Sequence, residues 1–362
     1  MIVSQGSVRS YAAIQARVRA LYANLLDEEL WTQLFEAQDI DGTLKILKDT
    51  VYAPYLESDD HGLTPRRIVF QIKQHVADMY IKILRWLSEP GRQCLLQLWR
   101  LFEVDNLKAL LRGLETGASE HQVRFTFFPM GDATALPTEA MFQTGDITRA
   151  IELLNSTPYY GTLKHALKRF TEEKSLFPLE VALDLDYYRE LWRSVHKLSG
   201  LDRKHALRLI GNIVDMNNLL WAIRYRIYHR LSEEEIINYT LSFGYRVQDS
   251  DIRAIAAGGN ISPIIGRVYP EIEDVQALID QPPYGLVELE RQLERHLMRE
   301  CRHTFLGYPF HLGLPMAYLQ LCEQEIQDLT VLMEAKASNI PVEDYAPLLI
   351  RPLAKTSLSR AI

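Results

Sequence analysis

The residues of this chain whose types could do chemistry are few, and their spacing suits other work. Cys301 and His303, with His311 and Cys322 further on, gather thiols and imidazoles in one stretch. No Cys-x-x-Cys or His-Glu-x-x-His accompanies them, so metal binding is not expected. No G-x-x-x-x-G-K-[ST] occurs, which argues against a P-loop, and Gly258-Gly259-Asn260 reads as a turn. Glu233 and Glu234 are adjacent carboxylates, but they follow Ser232 in what looks like a solvated first helical turn, where the helix dipole favours them. No catalytic residue, cofactor or metal is assigned, and an enzyme is not expected.

The informative residues are polar and aromatic groups that return in order. Asp39-Ile40 is followed by Leu47, Thr50 and Tyr52; Asp146-Ile147 is followed by Leu154, Thr157 and Tyr159 at the same spacing. A weaker third copy is read at Ile279, Pro282 and Tyr284. A second pattern follows each: Glu103, Asn106-Leu107 and Arg112; Asp215, Asn218-Leu219 and Arg224; Glu325, Asp328-Leu329 and Glu334. Two linked patterns in one order, with a period of roughly 110 residues, predict one helical unit used three times.

In the first pattern the leucine should close a buried face, the threonine bond freed backbone at a helix end, and the tyrosine pack back as a plug with a polar tip. In the second, the acid and the Asn lie one turn apart on one side of a helix, with the arginine elsewhere on its surface. That strip suits either an inter-helix hydrogen-bond network or a surface facing a partner.

Helices must carry these residues. Apolar residues recur at helical period over 11–26, 65–87, 94–114 and 207–230. Ser232 to Glu235 forms a capping-box signature, and Pro137-Thr138-Glu139 and Pro341-Val342-Glu343 look like helix starts with proline in the first turn. The one strand-like run, residues 123–128, reads as a short extended connector. Breaks rich in Gly, Asp, Ser and Pro lie near 117–132 and 244–263. The expectation is an all-α chain of three modules: 1–128, 129–246 and 247–362.

The 362 residues are 47% apolar and 24% charged, enough to bury sizeable cores. A net charge of −7 gives nucleic-acid binding no support. Three cysteines make no disulfide framework, which fits a reducing compartment. No secretory signal is seen at the N-terminus. Residues 304–322 lack charged side chains, but Gly307, Pro309, Gly313 and Pro315 break them up, so they read as a buried loop leading into a helix near Met316.

Several stretches together resemble the C subunit of the rotary A-type and bacterial V-type ATPases, the counterpart of the d subunit in the eukaryotic V-type enzyme. They are Tyr11 with Ala16-Arg17-Val18-Arg19-Ala20-Leu21; Leu47 to Tyr52; Val104 to Gly113; Ile213 to Leu219 with Arg224; and Pro315 to Leu319 with Glu323, Glu325, Ile326 and Lys336. The likeness spans residues 11–336. It departs from the pattern in the third copy, where Pro282 replaces the threonine and Asp328 the Asn.

The resemblance implies a funnel of three helical modules with pseudo-threefold symmetry, on the cytoplasmic face of the membrane as a peripheral part of the complex. It implies a non-catalytic central-stalk socket between the membrane rotor ring of proteolipid (c/K-type) subunits and a shaft of D- and F-type subunits. Proton or sodium transport, or ATP synthesis, would be the work of the whole complex. Candidate partner-facing residues are Arg17, Arg19, Tyr52, Arg112, Tyr159 and Arg224, since interface centres favour Arg and aromatic anchors. The alternatives are a soluble helical adaptor unconnected with a rotor, which would not fractionate with membranes, and an all-α enzyme with a pocket where modules meet.

Overall fold

Helices are the only regular structure among residues 5–56, 64–281 and 284–352, the parts described in a computed structural model. The first third holds α1 (Gln5–Tyr22), α2 (Glu28–Glu36), α3 (Ile40–Leu47), α4 (Pro65–Leu84), α5 (Gly91–Glu115) and the single turn α6 (Glu120–Val123). The middle holds α7 (Thr138–Gln143), α8 (Ile147–Glu152), α9 (Tyr160–Glu173), α10 (Phe177–His196) and α11 (Gly200–Arg224). The last holds α12 (Glu233–Asn238), α13 (Asp249–Ala256), α14 (Ser262–Val268), α15 (Val275–Ile279), α16 (Tyr284–Thr304), α17 (Gly313–Ala337) and α18 (Val342–Tyr345). The all-α expectation holds.

Local chemistry explains the ends. The Thr64 hydroxyl accepts the Arg67 amide just ahead of Pro65 in the first turn of α4. Ser232 and Glu235 form the expected capping box of α12. Pro137 and Pro341 stand just before their helices, at the cap position rather than inside the first turn. Helix α17 begins at Gly313, slightly earlier than expected, with Pro315 in its first turn where no amide is needed. Helix α11 gives way at Tyr225 to a wide π turn, which ends at Arg230 in the left-handed conformation.

The strand-like run takes a different shape. Val123 ends α6, Arg124–Thr126 is a 3-10 turn, and Phe127 is extended. With no second strand among the described residues to pair with, the run satisfies its backbone by local turns and, at Phe128, by the Asn106 side chain of α5. Its rings pack on helices instead: Phe128 stacks on Phe102 of α5 at 3.7 Å, and Phe125 meets Phe70 of α4 edge-on.

Three long hairpins, α4–α5, α10–α11 and α16–α17, organise the packing. Helix α5 lies along α10, α11 along α16, and α17 returns to lie along α4. One apolar core runs from α1 through the first part of α11 and takes in α17 and the later half of α16. A separate, smaller core joins the later half of α11 to α12–α15 and the first half of α16.

Candidate functional site

The repeated polar residues meet where one hairpin touches the next. Asp39 and Asp146 cap α3 and α8, each accepting an amide at 2.8 Å. Leu47 and Leu154 are fully buried. The Thr50 and Thr157 hydroxyls each donate 2.7 Å to the carbonyl of that leucine, and each accepts the amide of the tyrosine two residues on at 3.3 Å. The turn therefore aims Tyr52 and Tyr159 inward.

Both tyrosines end on a carboxylate of the second pattern. Tyr159 donates to Glu103 on α5, whose other oxygen accepts from Thr134 and the Ala135 amide. Tyr52 donates at 2.7 Å to Glu325 on α17, which also accepts the Leu26 amide at 2.8 Å. Each acid thus holds the plug tyrosine and the chain just ahead of a short helix in a distant part of the sequence. Burial pushes the Glu325 carboxyl up to about 7, against the pull of the tyrosine and amide donors.

The third acid behaves differently. Asp215 on α11 accepts the Tyr245 and Arg246 amides at 2.7 Å each, one per oxygen. The buried tyrosine beside it is Tyr269, whose hydroxyl has no hydrogen-bond partner. Tyr284, read from the sequence as the third plug, is 82% exposed, and Pro282 lies outside the described residues. The third copy therefore ends at Tyr269. Ile264, Val268 and Tyr269 stand at the spacing of Leu47, Val51 and Tyr52, with Arg267 in the threonine's place. The Val-Tyr pair was the available signal, hidden by the loss of Asp-Ile and Thr.

The position one turn after each acid fastens a connector. Asn106 exchanges both amide hydrogen bonds with the Phe128 backbone. Asn218 donates to the Leu241 and Phe243 carbonyls and accepts the Leu241 amide. Asp328, which only accepts, takes the Ile350 and Arg351 amides. Of the two readings of this strip, the acid and Asn positions match the internal network.

The arginines lie further out. Arg112 pairs with Glu180 on α10 at 2.5 Å, and Arg224 with Glu290 on α16 at 3.5 Å. Arg17 is exposed and sits over the Trp86 ring, while Arg19 donates to the Phe305 carbonyl at 2.8 Å. Tyr52 and Tyr159 are in the core. Glu323, cited for its likeness, accepts the Tyr80 hydroxyl at 2.5 Å, and Lys336 grips the Phe35 and Ala37 carbonyls.

Cys301, His303, His311 and Cys322 do not converge. Cys301 and Cys322 are buried, His303 is 59% exposed, and His311 stacks on His205. Among the described residues no group of His, Cys, Asp or Glu is placed to hold a metal ion, and no helix is long and apolar enough to cross a membrane. An open cleft of about 860 Å³ between α9 and α10 mixes Arg100, Arg169 and Arg189 with Asp186 and Glu190. The acids act as fixed acceptors that join distant parts of the chain.

Comparison with known proteins agrees with such a part. The family described as "ATP synthase (C/AC39) subunit" matches residues 14–346. A protein of Methanocaldococcus jannaschii, named as the C subunit of an A-type ATP synthase, is 23% identical over 94% of this chain and 86% of its own length. Its namesake in Methanothermobacter thermautotrophicus is 25% identical over 90% and 84%. That of Methanococcoides burtonii is 24% identical over 93% of each.

Proposed function

Since this chain belongs to the ATP synthase (C/AC39) subunit family, we propose that it is the socket through which a rotary ATPase couples its central shaft to its membrane rotor ring. It is a non-catalytic subunit of such a complex. The finer reading is a pseudo-threefold funnel of modules 1–128, 129–246 and 247–362, peripheral to the membrane on its cytoplasmic face, with the proteolipid ring on one side and D- and F-type shaft subunits on the other.

The observation that carries the proposal is the return of the last hairpin to the first. Glu325 takes Tyr52 and Leu26, Lys336 takes Phe35 and Ala37, and α17 lies along α4. A part that transmits torque must not open under load, and helices packed in a closed circuit with buried polar joints resist that. The surface left for partners includes Arg17, Arg112 and Arg224; Arg19 is partly engaged by Phe305.

The test is native mass spectrometry of tagged protein recovered from gently solubilised membranes of its own cell. One copy bound to a ring of small apolar subunits, with shaft subunits attached, is the expected result. Recovery from the cytosol alone, without a ring, would overturn the socket and leave a helical adaptor. In the same assay Arg17→Glu should reduce the amount of complex recovered while circular dichroism stays unchanged, and full recovery would take Arg17 out of the interface.

A further inference from the structure

His205, in the second turn of α11, and His311, in the loop before α17, lie face to face. Their ring centroids are 3.5 Å apart and their planes 3° from parallel. His311 is fully buried, and neither of its ring nitrogens has a close hydrogen-bond partner; the backbone of Tyr308 is the one polar group near enough to favour its charged form. A Cβ at Gly313 would fall 2.6 Å from the His205 Cβ, so the stack has no room to slide on that side. Asp202 clamps the same spot, accepting the Leu312 amide at 2.7 Å and the Tyr11 hydroxyl at 2.9 Å. Three elements, α1, α11 and the start of α17, are joined there.

The surroundings hold no free negative charge for an added proton. Lys204 and Arg208 on α11 oppose it. Glu300 on α16 is taken by Arg208, and the Asp202 oxygens are taken by Leu312 and Tyr11. His303 on α16 is exposed, and Tyr11 on α1 is held neutral by burial. Neutral imidazoles stack well here, but an imidazolium would be buried beside a second imidazole, with only the Tyr308 backbone to set against the loss of water.

We propose that the His205–His311 stack is an acid-released latch that holds the 305–312 loop and the first turn of α17 onto α11 at neutral pH and lets them go on acidification. Burial pushes His311 down from its ordinary 6.5 to about 3 and lowers His205 as well. A base whose closed-state value is depressed binds more protons when open. The closed state is therefore fully favoured above about pH 6.5, and its advantage shrinks about tenfold for each unit below that, down to about pH 3. The latch is a property of this chain and does not depend on the coupling role.

Hydrogen–deuterium exchange on the full-length protein tests it, read on peptides covering 305–318 and corrected for intrinsic rates. Opening should rise roughly fifteenfold between pH 6.5 and 5.0. His311→Phe, which keeps an aromatic ring in the stack, should abolish that rise. Protection that does not change with pH in the parent protein would overturn the latch, and so would an undiminished rise in His311→Phe. If that variant fails to fold, NMR titration of the parent decides: His311 should stay neutral down to pH 5, and titration near 6.5 would overturn the proposal.

Discussion

Tyr159 and Tyr269 occupy corresponding places, yet only Tyr159 has a partner. The difference comes down to one methylene in the acid. Glu103 is long enough to take the backbone ahead of α7 with one oxygen and the tyrosine with the other. Asp215 spends both oxygens on two amides ahead of α13, and its shorter side chain leaves nothing for Tyr269. The joint between α17 and α4 follows the first arrangement, through Glu325 and Tyr52. The contrast coincides with the division of the apolar interior: the joint at α11 borders the smaller core, while the other two lie inside the larger one. The α12–α15 segment is thus fastened by backbone clips and its own apolar packing, whereas the joints of α5 with α8–α9 and of α17 with the first hairpin are made by tyrosine–carboxylate bridges.

The strongest way to break this comparison is to charge each core. Leu107→Asp in the larger core and Leu219→Asp in the smaller should each cost more than about 4 kcal/mol, because an unpaired carboxylate is buried. Leu107→Asp should abolish the main melting transition. Leu219→Asp should strip exchange protection from 236–293 while α4 and α5 keep theirs. Equal loss everywhere in both variants would show a single cooperative unit.

Next in size is the pH dependence of the Glu325 joint. Its folded value of about 7 lies above the ordinary 4.5, so the folded chain holds a proton that the unfolded chain gives up. The resulting stability is complete below about pH 4.5 and lost as pH rises through 7, worth about 3 kcal/mol. Urea melts at pH 5 and 8 should show it, and Glu325→Gln should flatten the slope by one proton. An unchanged slope would place the titration elsewhere.

Tyrosine-to-phenylalanine changes sharpen the contrast directly. Tyr52→Phe and Tyr159→Phe each remove a hydrogen bond to a buried carboxylate and should cost about 1.5–3 kcal/mol. Tyr269→Phe removes an unpartnered hydroxyl and should be neutral or stabilising in the same denaturant series. A cost equal to the others would mean Asp215 does reach it. Smallest is Arg112→Ala: the pair with Glu180 is mostly exposed on the arginine side, so its loss should cost under about 1 kcal/mol in the same melts.

Much of this was legible in the residues, because the first two copies depend on short-range chemistry. The Asp caps, the threonine turns and the Ser232 capping box act within a few residues, and a spaced pattern records them. The third copy was misplaced because its own short-range markers are gone: Arg267 stands in the threonine's place and only Val268-Tyr269 survives. What each acid bonds could not be read. Glu325 and Tyr52 are brought together only by the fold, and no local spacing encodes a contact across 273 positions. The strand-like run misled for a similar reason, since β propensity needs a partner strand and these aromatics found helices.

The return of α17 to the first hairpin also sets an order of events during synthesis. The contact of Glu325 with Leu26 spans 299 residues, and so does that of Lys336 with Ala37. While the chain emerges from the ribosome, α5 can dock on α10 as soon as α10 appears. The Tyr52 hydroxyl, the Leu26 amide and the apolar side of α4 must wait for a helix that lies 273 and 299 residues further along than the first two of them. A nascent chain therefore carries an unfinished flank for as long as the intervening residues take to emerge, and that flank is where a chaperone would be needed and where a second nascent copy could intrude.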